Sequence, residues 1–459
     1  MKRSQIDMIN GPLLPSIIRF AIPVILTGFV QMCLNAADMA VVGRFCGSIA
    51  VAAVGATSSL SHLIINLFLG LGMGSGVSVA RATGAGDEQE VKDTVHTAIL
   101  IAVIGGAFVS VVGIIASPTL LAWMDTPGRA LELASLYLRI YFAGAIPMMV
   151  YNFGAAILRA VGDSKRPMFF GILGGVVNVV LNLIFVVGFK WDVAGVAIAT
   201  TLSNTVMSVL VVRELMLRTD ACRLFLSRLS IHKGPLANII KIGLPSGLQN
   251  ALFAIANVTI QSSINSFGEE VLAGSSAAAN LEAVIWFAQH GFHQATVNFC
   301  GQNMGARNYK RLRKVAHASL ACNTAVSLVL AVLFNLFGRQ LLGIYIPDSQ
   351  AAIEFGMVRV ALLCSTYVID GYMSIMSYGL RGIGKSTAAM IVTLGGVCGF
   401  RLLWIFTVFQ LPQYHTQPGL YVAYPISWVI TFVVQYVWFM IATGKLIRQK
   451  DSEVQKSLA

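Results

Sequence analysis

Apolar residues in this chain neither alternate nor recur at one amphipathic interval. They run together in blocks long enough to cross a bilayer. A hydrocarbon core about 30 Å thick needs roughly 20 consecutive apolar residues in helical form. Twelve segments reach that length: 15–42, 50–79, 95–117, 131–156, 168–189, 194–215, 238–265, 272–299, 315–337, 352–378, 387–409 and 420–443. Each predicts a helix, because lipid offers no partner to an open backbone. Several are longer than needed and hold Pro or Gly, which predicts tilt or kinking. The expected fold is all-α and polytopic, with the lipid bilayer as its first partner.

Sorting the cations by connection tests this segmentation independently. Of the 32 Lys and Arg residues, 24 fall on one side, among them Lys2, Arg3, Arg81, Lys165, Lys233, Lys310, Arg381 and Lys445. Arg44, Arg129, Lys190 and Arg339 fall on the other, and Arg19, Arg139, Arg359 and Arg401 lie within spans. A wrong span count between loops would scramble that bias. Both termini are therefore expected in the cytoplasm, with the chain in the cytoplasmic (inner) membrane. The formal charge of +12 then orients the chain and needs no nucleic-acid partner. Only 11% of the 459 residues are charged, too few to coat a water-facing surface that ordinarily carries about 25%.

Four short patterns recur about 222 positions apart. Arg19-Phe-Ala-Ile-Pro23 is echoed by Lys241-Ile-Gly-Leu-Pro245, and Thr83-Gly-Ala-Gly-Asp87 by Met304-Gly-Ala-Arg-Asn308. Leu158-Arg-Ala-Val-Gly162 returns as Leu380-Arg-Gly-Ile-Gly384, and Gly174-Gly175-Val176 as Gly395-Gly396-Val397. Their common order and offset indicate duplication. Six spans separate equivalent points, an even number, so both halves share one orientation. Parallel repeats of this kind belong to transporters that rock two bundles about a central site. The predicted lobes are 1–226, with a basic cytoplasmic link, and 227–459. Pro23 and Pro245 stand at equivalent points, where an interior proline removes a backbone bond and bends the helix.

Ionisable residues inside spans are costly and mark pathways or coupling sites. In the first span Thr27, Gln31, Asn35 and Asp38 follow at intervals of 4, 4 and 3, one polar stripe on an apolar helix. It is expected to face the bundle interior or a wet cavity; a structural hydrogen-bonding seam is the alternative. Asn178 and Asn182 sit one turn apart in the fifth span, and the sixth opens with Thr200, Thr201 and Asn204. A carboxylate with amide and hydroxyl oxygens suits a small hard cation, and a buried carboxyl equally suits a proton. Glu282 and Asp370 are the matching acids of the second half. Trp286, Gln289 and His293 share the helical face of Glu282, and an aromatic beside a carboxylate suits an organic cation. Gln31 and Asn257 complete the expected substrate-facing set.

Other features exclude rather than add. The seven cysteines are scattered without metal-ligand spacing, and His290 and His293 lack further ligands, so no metal beyond Na⁺ is expected and no cofactor. The first apolar run is too long for a signal-peptide core and is read as an anchor. Gly379-Leu-Arg-Gly-Ile-Gly384-Lys385-Ser386 fits GxxxxGK[ST], but that phosphate loop needs a preceding strand. Here it joins two apolar helices, so a membrane ATPase, and with it an enzyme, is not expected.

At this point the chain resembles the multidrug and toxic compound extrusion family. The resemblance rests on Pro23-Val-Ile-Leu-Thr27, Asn35-Ala-Ala-Asp38 with Val41-Val-Gly-Arg44, Thr83-Gly-Ala-Gly-Asp87, Arg159-Ala-Val-Gly-Asp163, Leu281-Glu282 and Gly301-Gln-Asn-Met-Gly305. It implies twelve spans in two six-helix lobes forming a V around a central cavity. It implies efflux of amphipathic, often cationic small molecules in exchange for Na⁺ or H⁺, by a chain expected to act as a monomer. Asp38 matches the family's first-span acid and Asn178 its fifth-span amide. Asn182 stands where many relatives carry a second acid, and Phe253 where another branch has Glu, although Asp370 matches that branch's acid. The coupling ion is therefore open between Na⁺ and H⁺. Arg139, Arg359 and Arg401 keep a second transporter reading, a flippase for lipid-linked saccharide precursors, in play.

Overall fold

The structure is a computed structural model that describes residues 5–123 and 128–458, so Lys2 and Arg3 of the cationic set lie outside it. Sixteen α-helices carry nearly all of it: α1 (Leu13–Phe45), α2 (Ser48–Ala85), α3 (Glu88–Trp123), α4 (Gly128–Ala143), α5 (Ala145–Ala160), α6 (Lys165–Asn182), α7 (Asp192–Leu217) and α8 (Lys233–Asn265). The second half holds α9 (Glu269–Gly305), α10 (Tyr309–Tyr345), α11 (Gln350–Arg359), α12 (Ser365–Gly382), α13 (Ser386–Thr393), α14 (Phe400–Phe406), α15 (Gln417–Tyr421) and α16 (Ala423–Leu458). Among the described residues there is no strand. Among the described residues ten helical stretches are long and apolar enough to cross a membrane, and the bent pair α4–α5 makes an eleventh. The expected segment 50–79 lies within α2, a helix of 38 residues. The all-α polytopic expectation therefore holds.

The expected span 131–156 is broken. α4 and α5 meet at 49° around Gly144. The bare Cα at that point lets Thr201 of α7 close in, where a Cβ would stand only 2.7 Å from its hydroxyl. The Thr201 hydroxyl also donates to the Ile140 carbonyl (3.2 Å). At the corresponding place in the second half, α11 and α12 are joined without a break by a π-helical turn, Val360–Cys364.

Turns recur with the sequence repeat. Left-handed backbone appears at Gly47 and Gly268, at Gly86 and Arg307, and at Gly162 and Gly384. Gly86 closes α2 by donating to the carbonyls of Ala82 and Thr83, and Asp87 then caps α3 by accepting from the Glu90 amide (2.9 Å). The GxxxxGKS stretch lies at the α12–α13 turn, with Gly384 at φ +77°. That supplies the conformation a non-glycine residue resists and places the motif between two helices.

Contacts group the chain into two units, 1–6 with 26–250, and 7–25 with 251–459. The division runs through α1 and α8, where the sequence suggested a border at 226. Helix is continuous through both Pro23 and Pro245, and each helix changes unit within five residues of its proline. The reason is close packing. In the first unit Gly70 and Gly74 of α2 lie against Gly243 and Gly247 of α8, so tightly that a Cβ at any of them would meet backbone. Small residues four apart on both helices permit this approach. In the second unit Gly291 of α9 receives Ala21 and Ile25 of α1, and Phe20 meets Phe299 edge-on at 6.0 Å. Asn303 ties the preceding segment by donating to the Met8 carbonyl (3.0 Å).

The first unit's core gathers Leu121, Leu138, Phe142, Phe153, Ile157 and Leu158. The second has two clusters, one around Leu363, Tyr421 and Trp428 and one around Ile285, Leu342 and Val360. On the link between α7 and α8, Arg218 clasps Asp220 through Nε (3.0 Å) and Nη2 (2.7 Å). Buried Asp163 accepts from Arg166 (3.1 Å) nearby.

Candidate functional site

In the first unit three helices converge on Asp38. It lies seven residues before the end of α1, and the last residue of α6, Asn182, donates Nδ2 to its Oδ1 at 2.5 Å. The same Nδ2 reaches Asn178 Oδ1, one turn earlier, at 3.2 Å. Asn178 donates to Thr200 Oγ1 of α7 (3.3 Å), and Thr200 donates on to the Val196 carbonyl (3.0 Å). A single relay thus runs from carboxylate through two amides to a hydroxyl. The spacing of Asn178 and Asn182 placed both on one helical face; the fold brings that face to Asp38.

The relay has one loose end. Asn182 is 1% exposed, and its Oδ1 has no hydrogen-bond partner. An unsatisfied buried acceptor costs about 1–3 kcal/mol, a cost that a bound cation or donor here would offset. Directly after Asn182 the helix widens into a π-helical turn, Leu183–Gly188, a local form that recurs at functional sites. Val42, Val186, Val193 and Val196 form an apolar cluster alongside. Tyr137 of α4 stacks on Tyr141 (6.0 Å) within electrostatic range of Asp38. Carboxylate, amide and hydroxyl oxygens are the hard donors that an alkali cation or a proton requires. Among the described residues no cluster of His, Cys, Asp and Glu could hold a metal of the transition type. Gln31 and Asn35 are exposed on α1 and join none of these bonds. Asn35, three residues before Asp38 on the same helical face, stands beside the relay without a bond to it.

The second unit departs further from expectation. Glu282 is not open to a cationic substrate. Arg359, the last residue of α11, grips it with two hydrogen bonds, from Nε at 2.6 Å and Nη2 at 3.0 Å. The remaining Nη1 donates to Ser275 (2.6 Å), which also accepts from the Tyr421 hydroxyl (3.2 Å). Paired in this way, two costly charges become one neutral buried group. The helical face shared with Glu282 is committed as well. Gln289 donates to Ser327 (2.8 Å) and to the Tyr367 carbonyl (3.0 Å), and buried His293 packs on Tyr378. Trp286 alone is 41% exposed, with its ring on His290 at 4.9 Å. Asn257 is exposed on α8, and Asp370 of α12 is half-buried.

The Glu282–Arg359 pairing was not read from the sequence, although an intramembrane arginine calls for a partner. Of the other intramembrane arginines, Arg139 is exposed on α4. It borders a groove of about 310 Å³ lined by Ile114, Ile140, Ile198, Thr201 and Leu202. Arg401 lies over Tyr424 in the second unit.

Comparisons with known proteins follow the same two-fold plan. The MatE family model matches twice, over residues 23–184 and 245–407. The chain is 25% identical over 433 residues to "Probable multidrug resistance protein YoeA" of Bacillus subtilis, covering 91% of this chain and 93% of that protein. It is 23% identical over 357 residues to "FAD transporter" of Shewanella oneidensis, covering 76% and 78% respectively. Among solved structures, "Crystal structure of MATE in the bent conformation" is 25% identical with a TM-score of 0.89, covering 96% of this chain and 98% of that one. "Outward-facing conformation of a multidrug resistance MATE family transporter of the MOP superfamily" is 26% identical with a TM-score of 0.90, covering 96% and 98%. The two model matches begin 222 residues apart, at the same Pro23 and Pro245 that opened the internal echo, and so the chain belongs to the MatE family.

Proposed function

We propose that this protein is a secondary active efflux antiporter, exporting amphipathic, often cationic compounds in exchange for Na⁺ or H⁺ by alternating access. The observation that carries the reading is the Asp38–Asn182–Asn178–Thr200 relay with its unpartnered Asn182 oxygen. The names of the relatives, several of them multidrug resistance or export proteins, point the same way.

The relay supplies a mechanism for sensing the ion. A charged Asp38 accepts from the Asn182 amide nitrogen. Once Asp38 binds Na⁺ or takes up a proton, the group beside Asn182 needs an acceptor instead, and the amide answers by turning Oδ1 toward it. That rotation withdraws Nδ2 from Asn178 and re-sorts the bonds down to Thr200, next to the π-helical turn. Ion occupancy thus becomes a change in backbone environment at the end of α6. Coupling requires only that ion and substrate each favour a different conformational state.

The cationic bias of one set of loops supports a place in the cytoplasmic membrane with both termini inside. The flippase reading loses Arg359, which is spent on Glu282, and keeps Arg139 and Arg401. Reconstituted vesicles with imposed Na⁺ and pH gradients, applied separately, test the proposal. Dye export driven by one gradient and lost in Asp38→Asn supports it. Export that is indifferent to both gradients, or unchanged in Asp38→Asn, refutes it.

A further inference from the structure

The second unit holds four charged groups near one another, and only two are paired. Glu282 and Arg359 neutralise each other. Asp370 and Arg401 do not; they sense each other's charge but form no ion pair. Arg401, on α14, is 5% exposed. Its guanidinium carbon lies 3.9 Å above the centre of the Tyr424 ring and 5.6 Å from that of Trp428. Its Nε donates to Ser427 Oγ at 3.0 Å. Trp428 is wedged against Tyr367 (5.3 Å) and Tyr424 (5.9 Å). The fork is therefore fixed on one side by an aromatic floor and at its root by a hydroxyl. Among the described residues its two terminal nitrogens have no hydrogen-bond partner. The π-helical turn Leu394–Gly399 ends one residue before α14 and two before Arg401, as Val360–Cys364 follows directly on Arg359.

A planar cation held against an aromatic floor with its outer N–H pair uncommitted is built to take two oxygens side by side. We propose that Arg401 is an oxyanion-accepting subsite of the second unit, receiving the carboxylate or phosphate of an amphiphilic substrate. The inference rests on the efflux reading and adds to it a substrate class: amphiphiles bearing an oxyanion, beside the cationic ones. Asp370, unpaired nearby, would then face the cationic end of a zwitterion.

Purified full-length protein is titrated with rhodamine B, which carries a carboxylate, and with its ethyl ester, which does not. The unmodified protein is expected to bind the acid about tenfold more tightly, a difference of about 1.4 kcal/mol. Arg401→Gln should erase the preference, and Arg401→Lys should keep only part of it, because a point charge lacks the fork. Displacement of bound rhodamine B by dodecanoate or by dodecyl phosphate identifies which oxyanion is taken, and either supports the site. Equal binding of acid and ester by the unmodified protein overturns the inference without reference to any variant. So does a preference that survives in Arg401→Gln, or displacement by neither amphiphile. Because binding is read without transport, this outcome is separate from gradient-driven export, whose absence would sink the efflux reading instead.

Discussion

Asn182 stands between Asp38 and Asn178 with a single nitrogen donating to both, 2.5 Å to the carboxylate and 3.2 Å to the amide oxygen. One group therefore reads the charge state of α1 and reports it along α6. Asn182→Leu keeps volume and removes that exchange. A hydrogen bond to a charged group contributes about 1.5–3 kcal/mol, so ion-driven export should fall by roughly ten- to a hundred-fold. The variant should still elute as a folded protein. Vesicle transport at fixed gradient, with size-exclusion profiles alongside, checks this; unaltered transport would remove Asn182 from the mechanism.

Arg359→Met leaves Glu282 buried with no counter-charge. Stranding one member of a buried pair costs about 3–5 kcal/mol, whereas replacing both by apolar groups is often neutral. The single variant should therefore melt well below the unmodified protein in detergent. The double variant Glu282→Leu with Arg359→Met should recover most of the loss. A double variant no better than the single would mean that Ser275 and Tyr421, more than the ion pair, depend on Arg359.

Gly247→Leu tests the crossing of α2 and α8. A side chain there drives into the backbone of Leu67, and overpacking of this kind costs about 1–3 kcal/mol or more. Lower yield and a lower melting temperature are expected. Gly395→Leu, where a Cβ meets nothing within 4 Å, should leave both near the unmodified values. Similar behaviour of the two variants would argue against the close approach.

On the link, burial raises the Asp220 carboxyl, but the Arg218 hydrogen bonds and charge, with help from the Cys222 amide and Gln5, bring it below its usual 3.8. A carboxyl lowered on folding stabilises the protein above its unfolded value, and that contribution is lost as pH falls through the folded one. The melting temperature of Asp220→Asn should therefore be lower at neutral pH, with the gap closing as pH drops below about 4. A gap that stays constant with pH would assign the effect to packing.

What the sequence made legible was whatever depends on position along one helix. Run lengths located the spans, the shared offset located the repeat, and the spacing of Asn178 and Asn182 put both amides on the face that meets Asp38. Partners across helices were hidden, because periodicity states which side a residue faces and not what stands there. Glu282 and Arg359, 77 positions apart, looked like a free acid and a free base until the fold joined them. Asn35 shared a stripe with Asp38 yet does not share its bonds. The border at 226 followed the basic link, whereas the units follow the tight glycine crossings.

Those crossings decide what a shorter version of this protein can do. A fragment ending at 226 lacks the stretch of α8 that rests on Gly70 and Gly74, and the complementary fragment lacks the stretch of α1 that fills the Gly291 notch. Neither can complete its own bundle in isolation, and co-produced pieces must trade helix ends to assemble. The crossovers after Ile25 and Asn250 thus make each half's leading helix end indispensable to the other half's bundle.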